Sequence, residues 1–294
     1  MSIWWVVVNP SAGRGLDLEA RARSALERAG VAHTVRISHS AAHVAGIIAE
    51  GRANGVGRFA AVGGDGTAHL VANGILALDW ESIPTLAVLP AGSGSDFVRS
   101  FNGPESLDAS ARRLAGDATS GLDVGLLEGR FGRRYFINAA NAGIAARTVI
   151  EAERMPDRLG PRRYLAGFWL ALAKTHPADI RIRCDGAVVD GLAWNVVIAN
   201  GRYFGGAMNV APDASTNDGA FDVQVFGGTR RSAPAIIRRV IRGTHLTHRA
   251  VRRLEGANIA VEVPDDWAVE ADGEIVGKGP FTAAVVRNRL LYKV

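Results

Sequence analysis

A glycine-rich segment with one acidic residue is the strongest candidate for chemistry in this sequence. Gly63-Gly-Asp-Gly-Thr67 directly follows the apolar run Phe59 to Val62, and the periodic segment Ala68 to Leu78 that comes next predicts a helix. Glycines let the backbone approach a ligand closely, and the N–H groups at the start of a helix favour an anion, so a phosphate fits here. Asp65 would repel a phosphate unless a divalent cation or a transferring proton lay between them, which indicates a nucleotide with Mg²⁺. A glycine-rich turn with a solvated aspartate accounts for the segment equally well.

The length and composition are those of an ordinary folded chain. The 294 residues allow about two domains, and 48% of them are hydrophobic and 21% charged. Apolar stretches such as Tyr164 to Ala173 are shorter than the roughly 20 residues that a membrane span needs, and the run Ile3 to Val8 has no basic region before it. We therefore expect neither a membrane span nor a signal peptide. The single cysteine, Cys184, rules out an intrachain disulfide and suits a cytoplasmic location.

The charge balance favours anionic partners. The net charge is +5 and the sequence pI is about 9.9, with Lys only at positions 174, 278 and 293. Nucleotides, acidic lipid surfaces and nucleic acid all satisfy that preference. Nucleic acid is the weakest of the three, because no aromatic stacking array or recognition module accompanies the charge. A GC-rich genome would produce the same richness in Arg and Ala without any binding role.

The first third of the chain alternates apolar runs with helical patterns. The predicted strands are Ile3 to Val8, Val31 to Ile37, Phe59 to Val62 and Thr85 to Leu89, and the predicted helices are Leu16 to Ala29, Ala41 to Ala53 and Ala68 to Leu78. Such alternation indicates a doubly wound parallel sheet, whose ligands lie at the carboxyl ends of the strands. The loops at 9–13, 63–67 and 90–96 each follow a strand, so we expect them to converge on one site.

From about Gly121 the pattern changes to short strands separated by turns, which is typical of an antiparallel sandwich. We therefore predict an α/β plus β fold, with a doubly wound α/β nucleotide-binding domain at residues 1–122 and an antiparallel β-sandwich domain at 123–294. The last ~10 residues are candidates to return to the first domain. The cleft between the two domains is the expected active site.

Eight short motifs follow one another along the chain. They are Asn9-Pro-Ser-Ala-Gly13, Gly63-Gly-Asp-Gly-Thr67, Gly92-Ser-Gly-Ser-Asp96-Phe, Asp123-Val-Gly125, Phe136-Ile-Asn138, Gly201-Arg-Tyr-Phe-Gly-Gly206, Asn217-Asp-Gly219 and Ala271-Asp-Gly-Glu274. Their order and spacing resemble the diacylglycerol kinase catalytic family, in particular the soluble bacterial lipid kinases. Each motif alone is weak evidence for the family. Eight motifs in the same order over essentially the whole chain are strong evidence, because chance agreement is much less likely than homology.

The resemblance implies an ATP- and Mg²⁺-dependent lipid kinase that transfers the γ-phosphoryl group to a hydroxyl of diacylglycerol or a related lipid. It makes Asp272 the general base and Asp65 a second catalytic carboxylate, since phosphoryl transfer needs positioning, charge stabilisation and a proton acceptor. The Asp218 carboxylate and the backbone carbonyls of Ser215 and Ala220 would hold Mg²⁺. The residues implied to contact ATP are Asn9, Gly13, Ser38, Gly63, Gly64, Asp65, Gly66, Thr67, Ala68, His69, Gly92, Ser93 and Asp96.

Without the resemblance, the two acidic turns have simpler explanations. Asp272-Gly273 is a common composition for a β-hairpin turn, and Asn217-Asp218-Gly219 is ordinary turn chemistry.

By similarity to the family, Asp65, Asp96 and Asp123 would connect the metal to the nucleotide through hydrogen bonds or water.

Three positions depart from the family pattern. His69 and Leu70 stand where the family commonly has Asn-Glu, and Ser95 stands where an Asn usually precedes Asp96. The carboxylates of Asp65, Asp218 and Asp272 are retained, which favours an active kinase. The alternatives are an NAD kinase-like small-molecule kinase, which shares the Gly-Gly-Asp-Gly motif, and a nucleotide-binding regulatory relative without turnover.

A basic amphipathic segment, Ala233 to Arg242, suggests peripheral contact with the inner face of a membrane. Its apolar residues Ile236, Ile237, Val240 and Ile241 lie among arginines, a pattern typical of helices that bind anionic lipid surfaces. A solvated helix with its apolar side in the protein core explains the pattern equally well.

Overall fold

The computed structural model describes residues 3–10, 17–91, 95–101, 103, 106–160 and 162–294. The chain divides into two units. Unit 1 comprises Met1–Val124 and Arg287–Val294, and unit 2 comprises Gly125–Val286.

Helices and strands alternate in the first part of the chain, before a long strand leads out of unit 1. In order, these elements are β1 (Trp4–Val8), α1 (Leu18–Arg28), β2 (His33–Ile37), α2 (Ala41–Ala53), β3 (Arg58–Gly63), α3 (Asp65–Leu76), β4 (Thr85–Pro90), α4 (Asp96–Ser100), α5 (Leu107–Leu114) and β5 (Thr119–Gly129).

Strands predominate in the rest of the chain. The elements are β6 (Gly132–Phe136), β7 (Ala139–Gly143), α6 (Ile144–Glu153), α7 (Arg162–Lys174), β8 (Ala178–Cys184), β9 (Ala187–Ala193), β10 (Asn195–Ala199), β11 (Tyr203–Phe204), β12 (Met208–Asn209), β13 (Phe221–Phe226), α8 (Ala233–Ile241), β14 (Val251–Gly256), β15 (Asn258–Glu262), β16 (Ala268–Ala271), β17 (Glu274–Lys278) and β18 (Phe281–Lys293).

Unit 1 is an α/β domain built on parallel strands. Its strand order is β2-β1-β3-β4, with each neighbouring pair parallel. The end of β18 lies beside β4, also parallel, with Leu291 opposite Thr85. Strands β1 and β4 are buried along their whole length, including Trp4 and Trp5, because helices cover both faces of such a sheet.

Unit 2 is an antiparallel β-sandwich. One sheet has the order β14-β13-β10-β7-β16-β17, and the other contains β15 between β8 and the first part of β18. Strand β8 alternates buried Ile180, Ile182 and Cys184 with exposed residues, as expected for a strand with one face in the core. Side chains from both sheets form one hydrophobic core. The α/β plus β fold class predicted from the sequence is therefore confirmed.

The segment Ala139–Glu153 was not predicted as a strand followed by a helix. Strand β7 has the sequence Ala-Ala-Asn-Ala-Gly and is buried at every position, between β10 and β16. Its small side chains show neither alternation nor the β-branched residues typical of strands, so the sequence pattern carries no strand signal.

Helix α8 buries two of the four apolar residues that the sequence singled out, whereas Ile241 is 56% exposed. Ile236 and Val240 belong to a hydrophobic cluster of unit 2, while the arginines at 238, 239 and 242 are exposed. Burial of Ile236 and Val240 agrees with the explanation in which the apolar side of a solvated helix packs in the protein core. Among the described helices, none combines the length and the apolar character needed to cross a membrane.

Helices α6 and α7 pack closely and are joined by an ion pair between exposed Lys174 and buried Glu151. A Cβ on Gly167 would come within 2.9 Å of the Thr148 carbonyl oxygen, so only glycine permits this approach. The Lys174 ammonium donates to both carboxylate oxygens of Glu151 at 3.0 and 3.1 Å, and Glu151 is only 2% exposed. This hydrogen bond to Lys174 is the main cause that holds the pKa of Glu151 below its usual range.

We expect Lys174→Ala to lower the free energy of unfolding by about 1–3 kcal/mol, because it leaves a buried carboxylate without its closest donor. The loss should be complete above the ordinary glutamate pKa of about 4.3 and shrink as the pH falls through the lower pKa of folded Glu151. Urea denaturation of both proteins across this pH range measures the difference. The exposed Lys278→Ala is the matched control, and an equal effect of both substitutions would contradict the prediction.

Candidate active site

The carboxyl ends of the four parallel strands in unit 1 lie at one edge of the sheet. Asn9 follows β1, Ser38 follows β2, Gly63 ends β3 and Ala91 follows β4. Hydrogen bonds join these ends: the Asn9 amide Nδ2 donates to Thr67 Oγ1 at 3.3 Å, and the Ser38 hydroxyl donates to the Val8 carbonyl at 3.1 Å. The structure thus brings together the strand-end residues that the sequence assigned to one site.

Helix α3 begins three residues earlier than predicted, at Asp65 instead of Ala68. The Gly64 carbonyl accepts from the backbone N–H groups of Thr67 and Ala68 at 3.0 and 3.2 Å, which makes Asp65, Gly66 and Thr67 the first helical turn. No described side chain caps the helix at Gly64. Within the described part of the chain, a Cβ built on Gly64 or Gly66 would meet no atom within 4 Å, which favours close approach of a ligand to this helix end.

The Asp65 carboxylate caps the next helix. It accepts from the backbone N–H groups of Asp96 and Phe97, both at 3.0 Å, at the start of α4. The Ser95 hydroxyl donates to the same carboxylate at 3.4 Å, so the serine at this position still contacts the acidic residue of the first loop. Two glycine loops distant in sequence are therefore joined by one side chain.

Helix α4 is also anchored by the C-terminal strand. The Tyr292 ring on β18 lies 5.1 Å from the ring of Phe97 and 4.1 Å from that of Phe101, centroid to centroid. Tyr292 is 1% exposed, and this burial is the main cause that raises the pKa of its phenol. The last residues of the chain thus help to position the second loop of unit 1.

The other residues that the resemblance assigns to ATP binding are either buried or outside the described part of the chain. Ala68 and His69 have no exposed surface, because they lie on the side of α3 that faces the core, and Asp96 is 6% exposed. Gly13, Gly92 and Ser93 lie outside the described residues.

In unit 2, Asp272 occupies a two-residue hairpin turn between β16 and β17. Asp272 and Gly273 have φ values of 49° and 93°, the left-handed conformation that Asp-Gly turns supply. The Asp272 carboxylate accepts from three consecutive backbone N–H groups, those of Ile137, Asn138 and Ala139, at 2.8 to 3.0 Å. These donors set the position and orientation of the carboxylate.

The segment that holds Asp272 is bound in turn by the loop that follows β10. The Asn138 amide donates to the Tyr203 carbonyl at 2.9 Å, and the Asn138 carbonyl accepts from the N–H groups of Asn200 and Gly201 at 2.8 and 2.9 Å. The Asn200 side chain donates to the Ile137 carbonyl at 2.8 Å. Three of the sequence motifs therefore meet at one end of unit 2.

The same turn occurs a second time. Asp185-Gly186 joins β8 to β9, Asp185 has a φ of 43°, and its carboxylate accepts from the backbone N–H groups of Ala257 and Asn258. An Asp-Gly turn that binds a neighbouring segment thus occurs twice in unit 2, and the Asp272 turn lies beside the motifs at 136–138 and 201–206.

The turn expected to hold a metal has suitable donors. Asp218 is exposed, and its Oδ1 accepts from the Ala220 N–H at 3.1 Å, which keeps the carboxylate within this turn. A carboxylate and carbonyl oxygens are the ligands that Mg²⁺ prefers, so the residues present fit this cation. Among the described residues, no group of three His, Cys, Asp or Glu side chains is placed to hold a metal.

Asp123, which the resemblance connects to the metal, is buried in unit 1. It is 4% exposed, and its Oδ1 is 3.6 Å from the guanidinium of Arg287 within unit 1.

Sequence reasoning missed two polar residues that support the Asp272 turn. Asn200 has no exposed surface, and Glu270, which is 5% exposed, accepts from the Asn141 amide and from the Gly273 N–H. A polar residue within a short apolar strand was the available signal, because a buried polar group needs a partner.

Comparisons with known families cover both units. Residues 3–127 match the family described as diacylglycerol kinase catalytic domain, and residues 138–291 match the family described as YegS C-terminal NAD kinase beta sandwich-like domain.

Individual proteins are similar over most of the chain. The diacylglycerol kinase of Bacillus subtilis strain 168 is 27% identical over 285 residues, which are 94% of this chain and 90% of the relative. The YegS protein of Escherichia coli O17:K52:H18 is 31% identical over 205 residues, covering 69% of this chain and 67% of the relative. A crystal structure of a diacylglycerol kinase from Bacillus anthracis strain Sterne superposes with a TM-score of 0.75 at 20% identity, covering 99% and 96% of the two chains.

We expect Asp65→Ala to lower the free energy of unfolding by about 0.5–2 kcal/mol, because α4 loses its N-terminal acceptor. Asp65→Asn should cost less, since the amide oxygen still accepts a hydrogen bond. Asp79→Ala is the matched control, because its side chain is fully exposed, and it should change stability by less than about 0.5 kcal/mol. Chemical denaturation measures all three, and equal values for Asp65→Ala and Asp79→Ala would show that the cap contributes nothing.

Proposed function

Since the chain belongs to the diacylglycerol kinase family and is therefore a phosphotransferase with an alcohol acceptor, we propose that it transfers the γ-phosphoryl group of ATP, with Mg²⁺, to a hydroxyl of diacylglycerol or a related lipid. The names of the relatives support the acceptor class, and the resemblance of the motifs, together with the geometry described above, supports the residue roles.

In this proposal, ATP binds at the strand ends of unit 1. The open start of α3 offers backbone N–H groups and the positive end of a helix dipole to the phosphates. Gly64 and Gly66 leave the space that a phosphate needs, and Asn9 is held beside them by its hydrogen bond to Thr67. Asp65 keeps the second loop in place through α4.

The acceptor hydroxyl gives up its proton to Asp272. As the hydroxyl oxygen bonds to the γ-phosphorus and the bond to the β-phosphate oxygen breaks, the proton passes to the carboxylate. Such a base must be well positioned, and three backbone donors hold this carboxylate in place. This fixed carboxylate among the motif residues is the observation that carries the proposal.

Mg²⁺ would be held by Asp218 with the carbonyls of Ser215 and Ala220. When bound, the cation supplies charge neutralisation for the phosphate oxygens. The Asp218 hydrogen bond to the Ala220 N–H keeps the carboxylate in the turn.

Replacement of Asp272 by Asn tests the base directly. Asn adopts the left-handed conformation and can still accept backbone hydrogen bonds, so the turn should fold. Transfer of labelled γ-phosphate into an extracted lipid mixture should fall at least about a hundredfold, because an amide cannot take the proton. ATP affinity, measured by calorimetry, should be unchanged.

Asp185→Asn is the matched control, because it alters the same Asp-Gly turn and should leave transfer unchanged. Equal losses in both variants would indicate a folding effect and contradict the role of Asp272. Binding of ATP without transfer to any lipid would contradict the kinase proposal in favour of a regulatory protein, and transfer to NAD alone would favour the NAD kinase-like alternative.

Asp218→Asn should raise the Mg²⁺ concentration for half-maximal transfer at least about tenfold, since the only charged ligand of the proposed set is lost. Titration of Mg²⁺ at saturating ATP gives this value. Asp266→Asn, another exposed aspartate in unit 2, should leave it unchanged. The same Mg²⁺ requirement in all three proteins would place the cation elsewhere.

A further inference from the structure

Helix α7 exposes its large apolar side chains. Leu165 is 63% exposed, Trp169 47% and Leu170 36%, and Tyr164 on the same helix is 43% exposed. Leu159, in the short turn before the helix, is 40% exposed. Of the ten large hydrophobic residues that are exposed in the described part of the chain, these five lie within twelve consecutive positions. Such clustering marks an interaction surface, whereas single exposed apolar residues are common.

The orientation of α7 explains why these residues face outward. The helix packs through Gly167, Ala171 and Leu172, and glycine is required by the close approach to α6. A helix that must approach its neighbour this closely places small residues inside. Its large side chains Leu165 and Trp169 then lie on the outer side, the reverse of a normal surface helix.

Basic residues surround this apolar surface. Between positions 154 and 174 the chain has Arg154, Arg158, Arg162, Arg163 and Lys174 but only one acidic residue, Asp157. Arg158 and Arg162 are exposed, and the Arg163 guanidinium lies 5.3 Å from the centre of the Tyr164 ring. Lys174 binds Glu151 at the other end of the helix. The outer face of α7 itself carries no acidic side chain.

This combination favours an anionic lipid surface over a second copy of the chain. A symmetric dimer through this face would bring the arginines of both copies together without an acidic partner on either helix. Arginine beside exposed Trp, Tyr and Leu is the composition of helices that lie in the interface of a bilayer, where the rings and Leu side chains enter and the guanidinium groups meet phosphates.

We propose that the α7 apolar face, formed by Leu159, Tyr164, Leu165, Trp169 and Leu170, docks the protein on an anionic bilayer. The inference rests on the proposed function, because a lipid acceptor is what makes a bilayer the relevant surface. It places membrane contact on α7 and not on α8, whose Ile236 and Val240 pack into the core.

Vesicle binding without ATP tests the docking separately from catalysis. The full-length protein is mixed with phosphatidylcholine vesicles that contain or lack phosphatidylglycerol, and bound protein is measured by co-sedimentation. Leu165→Ser with Trp169→Ser should reduce binding to the anionic vesicles at least about tenfold, since two apolar side chains no longer leave water. Because both residues are exposed, the double variant should fold normally, as circular dichroism will check.

Val188→Ser with Leu192→Ser is the matched control. These two residues on β9 are 52% and 58% exposed, so exposed apolar side chains are removed outside α7. Unchanged binding in this control, together with the loss in the α7 variant, would support the proposal. Arg158→Ser with Arg162→Ser should remove the preference for phosphatidylglycerol.

Three results would overturn the docking proposal: no vesicle binding by the wild-type protein, equal losses in the α7 and β9 variants, or a dimer that the α7 substitutions convert to a monomer. Failure to phosphorylate lipid would instead contradict the proposed function while leaving the vesicle result in place. If both proposals hold, the α7 variant should lose transfer to vesicle-embedded diacylglycerol but retain transfer to a dispersed short-chain diacylglycerol.

Discussion

Carboxylates that accept backbone N–H groups organise both candidate sites. Asp65 joins the first glycine loop to the start of α4, and Asp272 holds the segment 137–139. Irregular segments leave N–H groups without ladder partners, and a buried N–H that lacks an acceptor is costly. A carboxylate can satisfy several such donors at once. The residues proposed for chemistry therefore also hold the loops around them in place. A substitution at these positions can affect both the reaction and folding, so a control variant is needed to distinguish the two effects.

Each unit supplies a different part of the proposed reaction. In the described part of unit 1, no side chain caps the start of α3 and two glycines leave space beside it, which suits phosphate groups. Unit 2 offers a fixed carboxylate and a turn with oxygen donors. The departures from the family pattern leave this division intact. Ser95 still donates to Asp65. Leu70 replaces a glutamate of the family pattern, but the carboxylates with a proposed role, those of Asp65, Asp218 and Asp272, are all present.

The two candidate membrane-facing helices show how packing decides the role of an amphipathic pattern. Helix α8 has the more regular basic pattern, yet Ile236 and Val240 pack into unit 2. In α7, small residues pack against α6, and Leu165 and Trp169 therefore lie on the outer side of the helix. Sequence periodicity identifies an apolar face but contains no information about whether protein, lipid or water covers it.

Local sequence determined the fold class, the existence of most elements and the type of each tight turn. The continuous apolar runs of β1, β3 and β4 require burial on both faces, and Asp-Gly favours a hairpin at both 185 and 272, because these preferences depend on neighbouring residues only. Ala139–Gly143 lacked such a signal, since its burial depends on strands far away in the chain. Which of the two Asp-Gly turns meets the 136–138 and 200–203 segments was likewise decided by the tertiary structure. Strand pairing sets those neighbours, and hydrogen bonds between residues more than a hundred positions apart leave no local trace in the sequence.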